Sequence, residues 1–400
     1  MKTQGMFKNS RYFMPTRICL LSVAAASLAT PASSALEYGH VDINDPQTQI
    51  PDSVRPLFDT PVRDTQICAA QDGFYYLTGT TMHEGGSFGD WNMGVHVWKS
   101  RDLKQWEPLG LVWNLDKTKG WQRFFYLYPE NKDGGSRLAE PGELTFEMRD
   151  KLKARRGSWA NEIHWAPKLN TFVIAGSMNY NVGTATEGKE PIGIKTKGGT
   201  YLLKSVSGKA EGPYADIQPD RPLTPRIDAS FFVDDDGSMY FVYQDGRIAK
   251  LKDDLSGLAE EPWSPQETTY PREAYAEGAF LFKADGKYHL AKTYWSTSKG
   301  DYTGKPDKYS YDPVTASAES LKGPYGKRHT PITGGGHGNF FKDHEGNWWA
   351  CVFNNPRNKC NKGGWKERPA IVAMKWVDGW LKVDKERTDA FYADLVAFSL

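Results

Sequence analysis

The stretch Asp72-Gly73-Phe74-Tyr75-Tyr76 places an acidic residue and a glycine directly before an aromatic run. The same order returns in Asp236-Gly237-Ser238-Met239-Tyr240, Asp285-Gly286-Lys287-Tyr288 and Glu345-Gly346-Asn347-Trp348-Trp349. An acidic residue and a glycine between two apolar runs are typical of a β-hairpin, because glycine adopts the positive φ angle that a short turn requires. The sequence therefore predicts one hairpin that recurs along the chain.

An ionisable residue stands nine positions ahead of the glycine in each of these hairpins. The pairs are Asp64 with Gly73, Asp228 with Gly237, Glu277 with Gly286, and His337 with Gly346. In a ring of such hairpins, equivalent positions converge on one axis. We therefore expect two aspartates, a glutamate and a histidine to meet in one site.

A fifth copy of the hairpin is degraded but recognisable between Trp165 and Ile174, where Asn170 aligns with the turn glycines. Counting back nine positions from Asn170 gives Asn161. A second pair of strands follows each inner hairpin. Five units of four antiparallel strands, at uneven spacings of about fifty to a hundred residues, predict an all-β fold, the five-bladed β-propeller.

The N-terminal segment has the order of a secretory signal peptide. Residues 1–35 contain four basic residues and no acid. The basic residues come first, the apolar run Ile18 to Ala29 follows them, and small residues continue to Ala35. An apolar run this short cannot span a bilayer as an anchor. We expect cleavage near Ala35, a secreted or periplasmic mature protein, and no membrane association after cleavage.

Two regions fall outside the repeats. Residues 36–62 lack repeat character and contain four prolines, which predicts an extended N-terminal arm packed across the barrel. The propeller itself is expected over residues 63–400, with an insertion at about 122–156 that is rich in charge and glycine. The one predicted helix lies in this insertion, near residues 144–155. The insertion is compatible both with a solvated surface loop and with a lid over the site.

Charge and cysteine content narrow the range of possible partners and metal sites. Removal of the signal peptide leaves 46 Lys and Arg against 49 Asp and Glu, so nothing indicates a nucleic-acid partner. Cys68 lies in an apolar strand and is expected to be a buried thiol. In an oxidising compartment, Cys351 and Cys360 either pair across a loop or remain free. No CxxC or His-x-x-x-His spacing indicates a zinc site.

The loops at the strand-start end of the ring carry groups that suit a sugar. The CH face of a sugar stacks on aromatic rings, and its hydroxyls need hydrogen-bond donors and acceptors. The candidate substrate-binding residues are Trp91, Trp165, Asn179, Trp295 and Arg357.

Three carboxylates in one cavity cannot all have ordinary pKa values, since like charges in a partly dry site cause at least one of them to retain its proton. A carboxylate and a carboxylic acid are the base and the acid of inverting glycoside hydrolysis. We assign the longer Glu277 as the acid, Asp64 as the base, and Asp228 as the residue that raises the pKa of the acid. In the non-catalytic alternative, a glycan-binding propeller, the same acids bind hydroxyls or a metal.

These motifs resemble glycoside hydrolase family 43 and its sister families of five-bladed propellers, over residues 63–395. The matching stretches are Arg63-Asp64, Ser100 to Trp106, Trp165-Ala166-Pro167, Ile227 to Phe232, Glu277-Gly278 and Gly336-His337-Gly338. The resemblance implies that Asp64 is the base, Asp228 the pKa modulator and Glu277 the acid, that configuration is inverted, and that no cofactor is required.

The histidine that matches His337 lies near the propeller axis in family members, often close to a calcium or sodium ion. The resemblance thus implies an axial ion beside His337. The other interpretation is a polar residue that fills the axis through hydrogen bonds.

One departure from the family concerns the residue after the first aspartate. Thr65 follows Asp64, where family 43 commonly has proline, and Arg63-Asp64-Thr65 also resembles family 117, whose members release 3,6-anhydrogalactose from agar oligosaccharides. We expect an exported, exo-acting, inverting hydrolase that removes a terminal arabinose-, xylose- or galactose-type sugar from plant or algal polysaccharides or oligosaccharides. A family 117-like 3,6-anhydrogalactosidase is the alternative. The oligomeric state stays open.

Overall fold

The computed structural model describes residues 43–81, 92–127, 136–138, 157–178, 199–267, 276–302, 308–360, 365 and 367–398. In these ranges the chain is nearly all strand and turn. Five antiparallel sheets of three or four strands follow one another along the sequence, as the blades of a propeller do.

Blade one contains β1 (Val62–Ala69), β2 (Tyr75–Thr81), β3 (Gly94–Ser100) and β4 (Glu107–Asn114). A small ribbon of β5 (Phe125–Leu127) and β6 (Ser136–Leu138) follows. Blade two contains β7 (Ser158–Ala166), β8 (Thr171–Met178), β9 (Gly199–Ser205) and β10 (Tyr214–Asp216).

Blade three contains β11 (Ala229–Val233), β12 (Met239–Tyr243) and β13 (Arg247–Lys250). Blade four contains β14 (Glu277–Ala284), β15 (Lys287–Ser296) and β16 (Ser310–Ala318). Blade five contains β17 (Asn339–Lys342), β18 (Trp348–Phe353), β19 (Pro369–Val377) and β20 (Trp380–Val383), and the helix α1 (Lys385–Phe398) follows it.

The predicted five-bladed propeller is confirmed, with an irregular outer edge in blades three and four. In these two blades the fourth position is taken by isolated bridges instead of a continuous strand. The antiparallel bridges are Ile248 with Trp263, Leu251 with Leu258, and Thr315 with His329. Pro262 and Pro265 flank Trp263, and a proline interrupts a ladder of hydrogen bonds because it has no N–H to donate.

The predicted hairpin turns are present in all five blades. Gly73, Gly237, Gly286 and Gly346 have φ angles of 78°, 77°, 76° and 87°, and Asn170 of blade two has a φ of 48°. Each therefore adopts the positive φ for which glycine and asparagine are suited.

The turns differ in length. In blade one the backbone N–H of Ala70 donates to Phe74 across three residues, and blades three and five close in the same way. In blade four Ala284 pairs with Lys287 across only two residues. Equivalent residues upstream of the turn therefore lie one position closer to the turn glycine in blade four than in blades one, three and five.

The first strands of the blades surround the axis. In the order β1, β7, β11, β14 and β17, each contacts the next, and β17 contacts β1. Two hydrogen bonds close the ring between the first and last blades: the N–H of Ile67 donates to Asn339 Oδ1 over 3.0 Å, and Asn339 Nδ2 donates to the carbonyl of Ile67 over 2.9 Å. All five first strands consequently begin at the same end of the ring.

Residues 43–61, part of the predicted N-terminal arm, run along blade five. The N–H of Leu57 donates to the carbonyl of Pro369, and the N–H of Val383 donates to the carbonyl of Gln47, each over 2.9 Å. The two ends of the described chain therefore meet in the same blade.

The helix α1 was not predicted. It packs against β19, where the hydroxyl of Tyr392 donates to the carbonyl of Ile371 over 2.9 Å and the ring of Phe391 is buried. Charged residues are interspersed with apolar ones along this segment, so its helical periodicity is weak. The helix expected near residues 144–155 lies outside the described residues.

The three cysteines after the N-terminal segment are free thiols. Cys351 and Cys360 are therefore not paired, and burial raises the pKa of Cys351 to about 12. Among the helices that the structure describes, none has the length and apolar character needed to cross a membrane.

Candidate active site

A pocket of about 300 Å³ opens at the end of the ring where the first strands begin. All five blades contribute to it. Its lining residues are Arg63, Asp64, Thr80, Trp159, Ile227, Asp228, Glu277, Trp295, Lys308, Tyr311, His337, Asn355 and Arg357. The three predicted carboxylates and the predicted histidine thus meet in one cavity.

A β-bulge in β1 directs Asp64 toward this pocket. Asp64 and Thr65 together oppose the single residue Gly79 of β2, and Asp64 has a φ of 50°. A side chain at Gly79 would come within 2.4 Å of the carbonyl oxygen of Arg63, so only glycine permits this close approach. Bulges are common beside active sites, because the extra residue changes the direction of a side chain.

The position that Asp64 holds relative to its turn recurs in every blade, and the strand pairing shows a bulge there in blades one, two and four. The strand pairing and the hydrogen bonds that close the turns identify the equivalent residues as Asp64, Ala160, Asp228, Gly278 and His337. The first four have φ angles of 50°, 45°, 56° and 59°. Positive φ is uncommon for residues other than glycine and is concentrated at functional sites.

The predicted equivalence of Glu277 and Asn161 with Asp64 is wrong by one residue in each case. The two-residue turn of blade four makes Gly278 the equivalent residue instead of Glu277. In blade two the 3₁₀ helix Pro167–Leu169 lengthens the turn, so that Ala160 takes the position instead of Asn161.

Glu277 lines the pocket from the position before the bulge. Arg63, Trp159 and Ile227 hold this earlier position in blades one, two and three, and they also line the pocket. Successive side chains of a regular strand point to opposite faces. The bulge allows two successive positions of one strand to reach the same cavity.

Asn161 has a structural role. Its side chain is buried, its Nδ2 donates to the carbonyl of Gly79 over 3.1 Å, and its Oδ1 accepts from the hydroxyl of Tyr201 over 2.7 Å. The amide therefore joins blade two to blade one beneath the pocket.

Asp64 is held in its ionised form. Thr80 Oγ1 donates to its Oδ2 over 2.8 Å, and its Oδ1 lies 3.5 Å from His337 Nδ1. Burial acts to raise the pKa of Asp64, but the hydrogen bond from His337 and the positive charges of Arg63 and His337 outweigh burial and hold that pKa below its ordinary value. This carboxylate is therefore available as a base, because it carries no proton at neutral pH.

His337 is held in its protonated form. Burial acts to lower its pKa, but the hydrogen bond to Asp64 and the negative charges of Asp228, Asp64 and Glu277 raise the pKa of His337 to about 9. The imidazolium is therefore a positive charge beside the carboxylates, in addition to that of Arg63.

Asp228 retains its proton more readily than Asp64 does. The backbone N–H of Gly278 donates to its Oδ2 over 3.2 Å. Burial raises the pKa of Asp228, the charge of His337 opposes this effect, and the negative charges of Glu277 and Asp64 raise the pKa further, to about 7. The two aspartates thus have widely different proton affinities within one site.

Glu277 is hydrogen-bonded to the wall of the pocket. The hydroxyl of Tyr311 donates to Glu277 Oε1 over 2.6 Å. The ring of Tyr311 stacks on Trp295 at a centroid distance of 4.5 Å, and the ammonium group of Lys308 lies 5.0 Å from the centre of the Trp295 ring.

The predicted substrate-binding residues divide into three groups. Trp295 and Arg357 line the pocket, and their contact with a substrate stays a prediction. Trp91 and Asn179 lie outside the described residues. Trp165 is not in the pocket: it lines a second cavity of about 390 Å³, formed by residues further along the first strands, and packs edge-on against Phe172. We therefore withdraw Trp165 as a substrate-binding residue.

Sequence reasoning missed several residues of the pocket. Trp159, Lys308, Tyr311 and Asn355 all line it. Trp159 holds the same position in its strand as Glu277 does, directly before the bulge. The repeat points to Trp159 once the extra residue in the blade-two turn is counted. Tyr311 lies on the third strand of blade four, and no motif points to it.

Acidic, histidine and cysteine side chains form no metal-binding group of three or more in the described part of the chain. A protonated imidazole also has no lone pair for a metal. Carbonyl oxygens and water can complete the six to eight oxygen ligands of calcium, so an axial ion beside His337 stays a prediction.

Comparison with known proteins agrees with this geometry. The model of glycosyl hydrolases family 43 matches residues 142–381. A protein of Escherichia coli strain K12 named "Putative beta-xylosidase" is 23% identical over 361 residues, which are 80% of this chain and 55% of that protein. The chain thus spans about half the length of this relative.

Solved structures share the fold. A family 43 protein from Bacillus licheniformis matches with a TM-score of 0.56 at 20% identity, over 83% of this chain and 56% of that one. An exo-1,5-alpha-L-arabinanase from a bovine ruminal metagenomic library matches with a TM-score of 0.51 at 15% identity, over 81% and 97% of the two chains.

Proposed function

The chain belongs to glycosyl hydrolase family 43, and from this premise we propose that its pocket hydrolyses O-glycosyl bonds with inversion of configuration. The observation that carries the proposal is the unequal protonation of carboxyl groups that meet in one cavity. Asp64 has a lowered pKa, whereas the pKa of Asp228 is raised to about 7. In a hydrolase, a carboxyl group with a lowered pKa is ionised and can act as the base, whereas a carboxyl group with a raised pKa retains a proton.

In the proposed mechanism Asp64 is the general base. It accepts a proton from a water molecule that attacks the anomeric carbon, and Glu277 donates a proton to the departing glycosidic oxygen on the other side of the sugar. Direct displacement by water inverts the anomeric configuration. This chemistry requires carboxyl groups and water, and no cofactor.

Asp228 and His337 adjust the protonation of these two groups. When Asp228 is ionised, its negative charge close to Glu277 favours retention of the proton that the acid must donate. The imidazolium of His337 keeps Asp64 ionised and oriented. Both effects act through buried charges, where charge–charge interactions are least screened.

We further propose an exo-acting enzyme for a terminal pentose- or galactose-type sugar. A pocket of about 300 Å³ is at the lower end of the range for small-molecule sites, which favours a chain end over the middle of a polymer. Relatives named as a β-xylosidase and an exo-arabinanase support a pentose. The basic, then apolar N-terminal segment supports export.

The test is a screen of arabino-, xylo-, galacto- and agaro-oligosaccharides with the purified protein. Release of one monosaccharide from one of them is expected, and early proton NMR of that product should show the anomer opposite to that of the bond cleaved. Release of anhydrogalactose would favour the family 117-like alternative. Equilibrium binding to these glycans without turnover would contradict the hydrolase and favour a glycan-binding propeller.

Two substitutions test the assigned roles. Asp64→Asn and Glu277→Gln remove the base and the acid with little change of shape, and each is expected to reduce kcat about 10²–10⁴-fold. Full activity of either variant would show that its residue is not essential. Product of retained configuration would instead make Asp64 a nucleophile.

A further inference from the structure

We infer that Tyr311 is a positioning residue for the acid Glu277, and that it determines which carboxyl oxygen carries the transferable proton. The inference rests on the proposed function and extends it to a residue outside the three carboxylates. Tyr311 belongs to β16, the third strand of blade four, whereas Glu277 begins the first strand.

The hydrogen bond between them has a defined direction. The phenol of Tyr311 is buried, and burial together with the charge of Glu277 raises its pKa well above the ordinary value, so that it remains protonated and donates. Glu277 Oε1 accepts this hydrogen bond at 2.6 Å. When Glu277 is a carboxylic acid, its own proton therefore lies on Oε2, because Oε1 is already an acceptor.

Tyr311 is fixed on both sides. Its ring stacks on Trp295, with centroids 4.5 Å apart and planes inclined by 27°. Its backbone carbonyl accepts from the N–H of Gly336 over 2.8 Å, directly before His337. One residue thus connects the acid of blade four to the loop that presents the imidazolium of blade five.

The neighbouring residue secures the same loop. The buried carboxylate of Asp312 accepts from the N–H of Gly334 over 2.7 Å and from Ser296 Oγ over 2.9 Å. The backbone of β16 is therefore anchored beside Tyr311, and the phenol cannot leave Glu277 without a change of its side-chain rotamer. A fixed donor of this kind reduces the number of orientations available to the acid.

The test is Tyr311→Phe, which keeps the stacked ring and removes only the hydroxyl. We expect kcat to fall at least about tenfold on a natural oligosaccharide, whose leaving group needs protonation, and to fall much less on an aryl glycoside of the same sugar with an activated leaving group.

Tyr302→Phe is the matched control. Tyr302 is also buried, and its hydroxyl bonds to Thr330 at 2.7 Å and donates to Asp312 Oδ2 at 3.5 Å, so that its removal perturbs the anchor beside Tyr311 but not the hydrogen bond to Glu277. This variant should lose comparable stability and keep the leaving-group dependence of the wild type. An equal loss on both substrates in Tyr311→Phe would reduce Tyr311 to a structural residue and overturn the inference.

A second measurement is independent of turnover. In protein labelled with ¹³C at glutamate carboxyl carbons, the Glu277 resonance should change position in Tyr311→Phe and stay in place in Tyr302→Phe, because only the first variant removes a hydrogen bond from this carboxyl group. An unchanged resonance in Tyr311→Phe would overturn the inference even if the enzyme is active. A shifted resonance in a protein that hydrolyses no glycoside would support the contact and reject the proposed function.

Discussion

The imidazole of His337 lies directly against the α-carbon of Gly278: a Cβ built on Gly278 would come within 2.4 Å of His337 Cδ2. Glycine is therefore the residue that allows the histidine of blade five to approach the carboxylates of blades one and three. The same glycine donates its N–H to Asp228. The Glu277-Gly278 dipeptide thus supplies the acid and the space for the cation beside it.

Gly278→Ala is expected to lower both the free energy of unfolding and kcat, because the added methyl group must displace His337. Gly286→Ala in the same blade is the control: its φ of 76° is strained in the same way, but no atom lies within 4 Å of its added Cβ. The control should show only the backbone cost, about 1–2 kcal/mol. Urea unfolding and initial rates measure both variants, and identical results for the two would show that the contact with His337 is unimportant.

Asp64→Asn is expected to lower the pKa of His337 from about 9. The hydrogen bond from His337 to Asp64 is the largest of the effects that raise this pKa, and an amide supplies no negative charge to replace the carboxylate. Titration of the imidazole by NMR measures the change. A pKa that stays near 9 in the variant would mean that Asp228 and Glu277 alone hold the proton on His337.

Asp228→Asn is expected to change how stability depends on pH. The pKa of Asp228 is about 7 in the folded protein and 3.8 ordinarily, so between these values the folded state retains a proton that the unfolded state has lost. The wild type should therefore lose stability relative to Asp228→Asn as the pH rises from about 4 to about 7, by a few kcal/mol at most. Below about pH 4 the difference should be constant.

Asp216→Asn tests whether the pH dependence of stability is independent of catalysis. Burial raises the pKa of Asp216, on the outer strand of blade two, to about 7 as well. Its replacement should produce a similar pH-dependent change in stability and leave kcat unaltered, whereas Asp228→Asn should also reduce kcat. If both variants kept full activity, Asp228 would have no catalytic role.

Trp159→Phe is expected to raise KM roughly 3- to 10-fold, since a smaller aromatic surface stacks less well on a sugar. Trp165→Phe is the matched substitution on the same strand, and its residue lines the other cavity. Its KM should equal that of the wild type. A higher KM for Trp165→Phe alone would restore the original assignment of Trp165 to the substrate.

The repeated turns were predictable because each depends on one residue type at one place. Gly73, Gly237, Gly286 and Gly346 require positive φ, and the aromatic run after each of them indicates a buried strand. Such local rules identified the five blades. They also brought Asp64, Asp228 and His337 together, since the turns that follow these three residues have the same length.

The remaining features depend on contacts that one strand alone does not reveal. The position of Glu277 depends on a turn one residue shorter than the others, and that of Asn161 on a turn one residue longer. Tyr311 is 34 residues from Glu277 in sequence and approaches it only through the pairing of three strands. The helix α1 is stabilised by its packing on β19, which its own sequence pattern does not indicate.

The bulge at Ala160 has a consequence for how this active site can change during evolution. Its φ of 45° shows that blade two already has the backbone geometry that presents Asp64 and Asp228 in their own blades, yet its side chain is a methyl group without chemistry. Replacement of Ala160 by aspartate would place a fourth carboxyl group at the equivalent backbone position, on a residue that is buried in the present structure. Blades one to four thus share this backbone geometry and differ in the side chain that they present, so the chemistry of the site can change where the backbone does not.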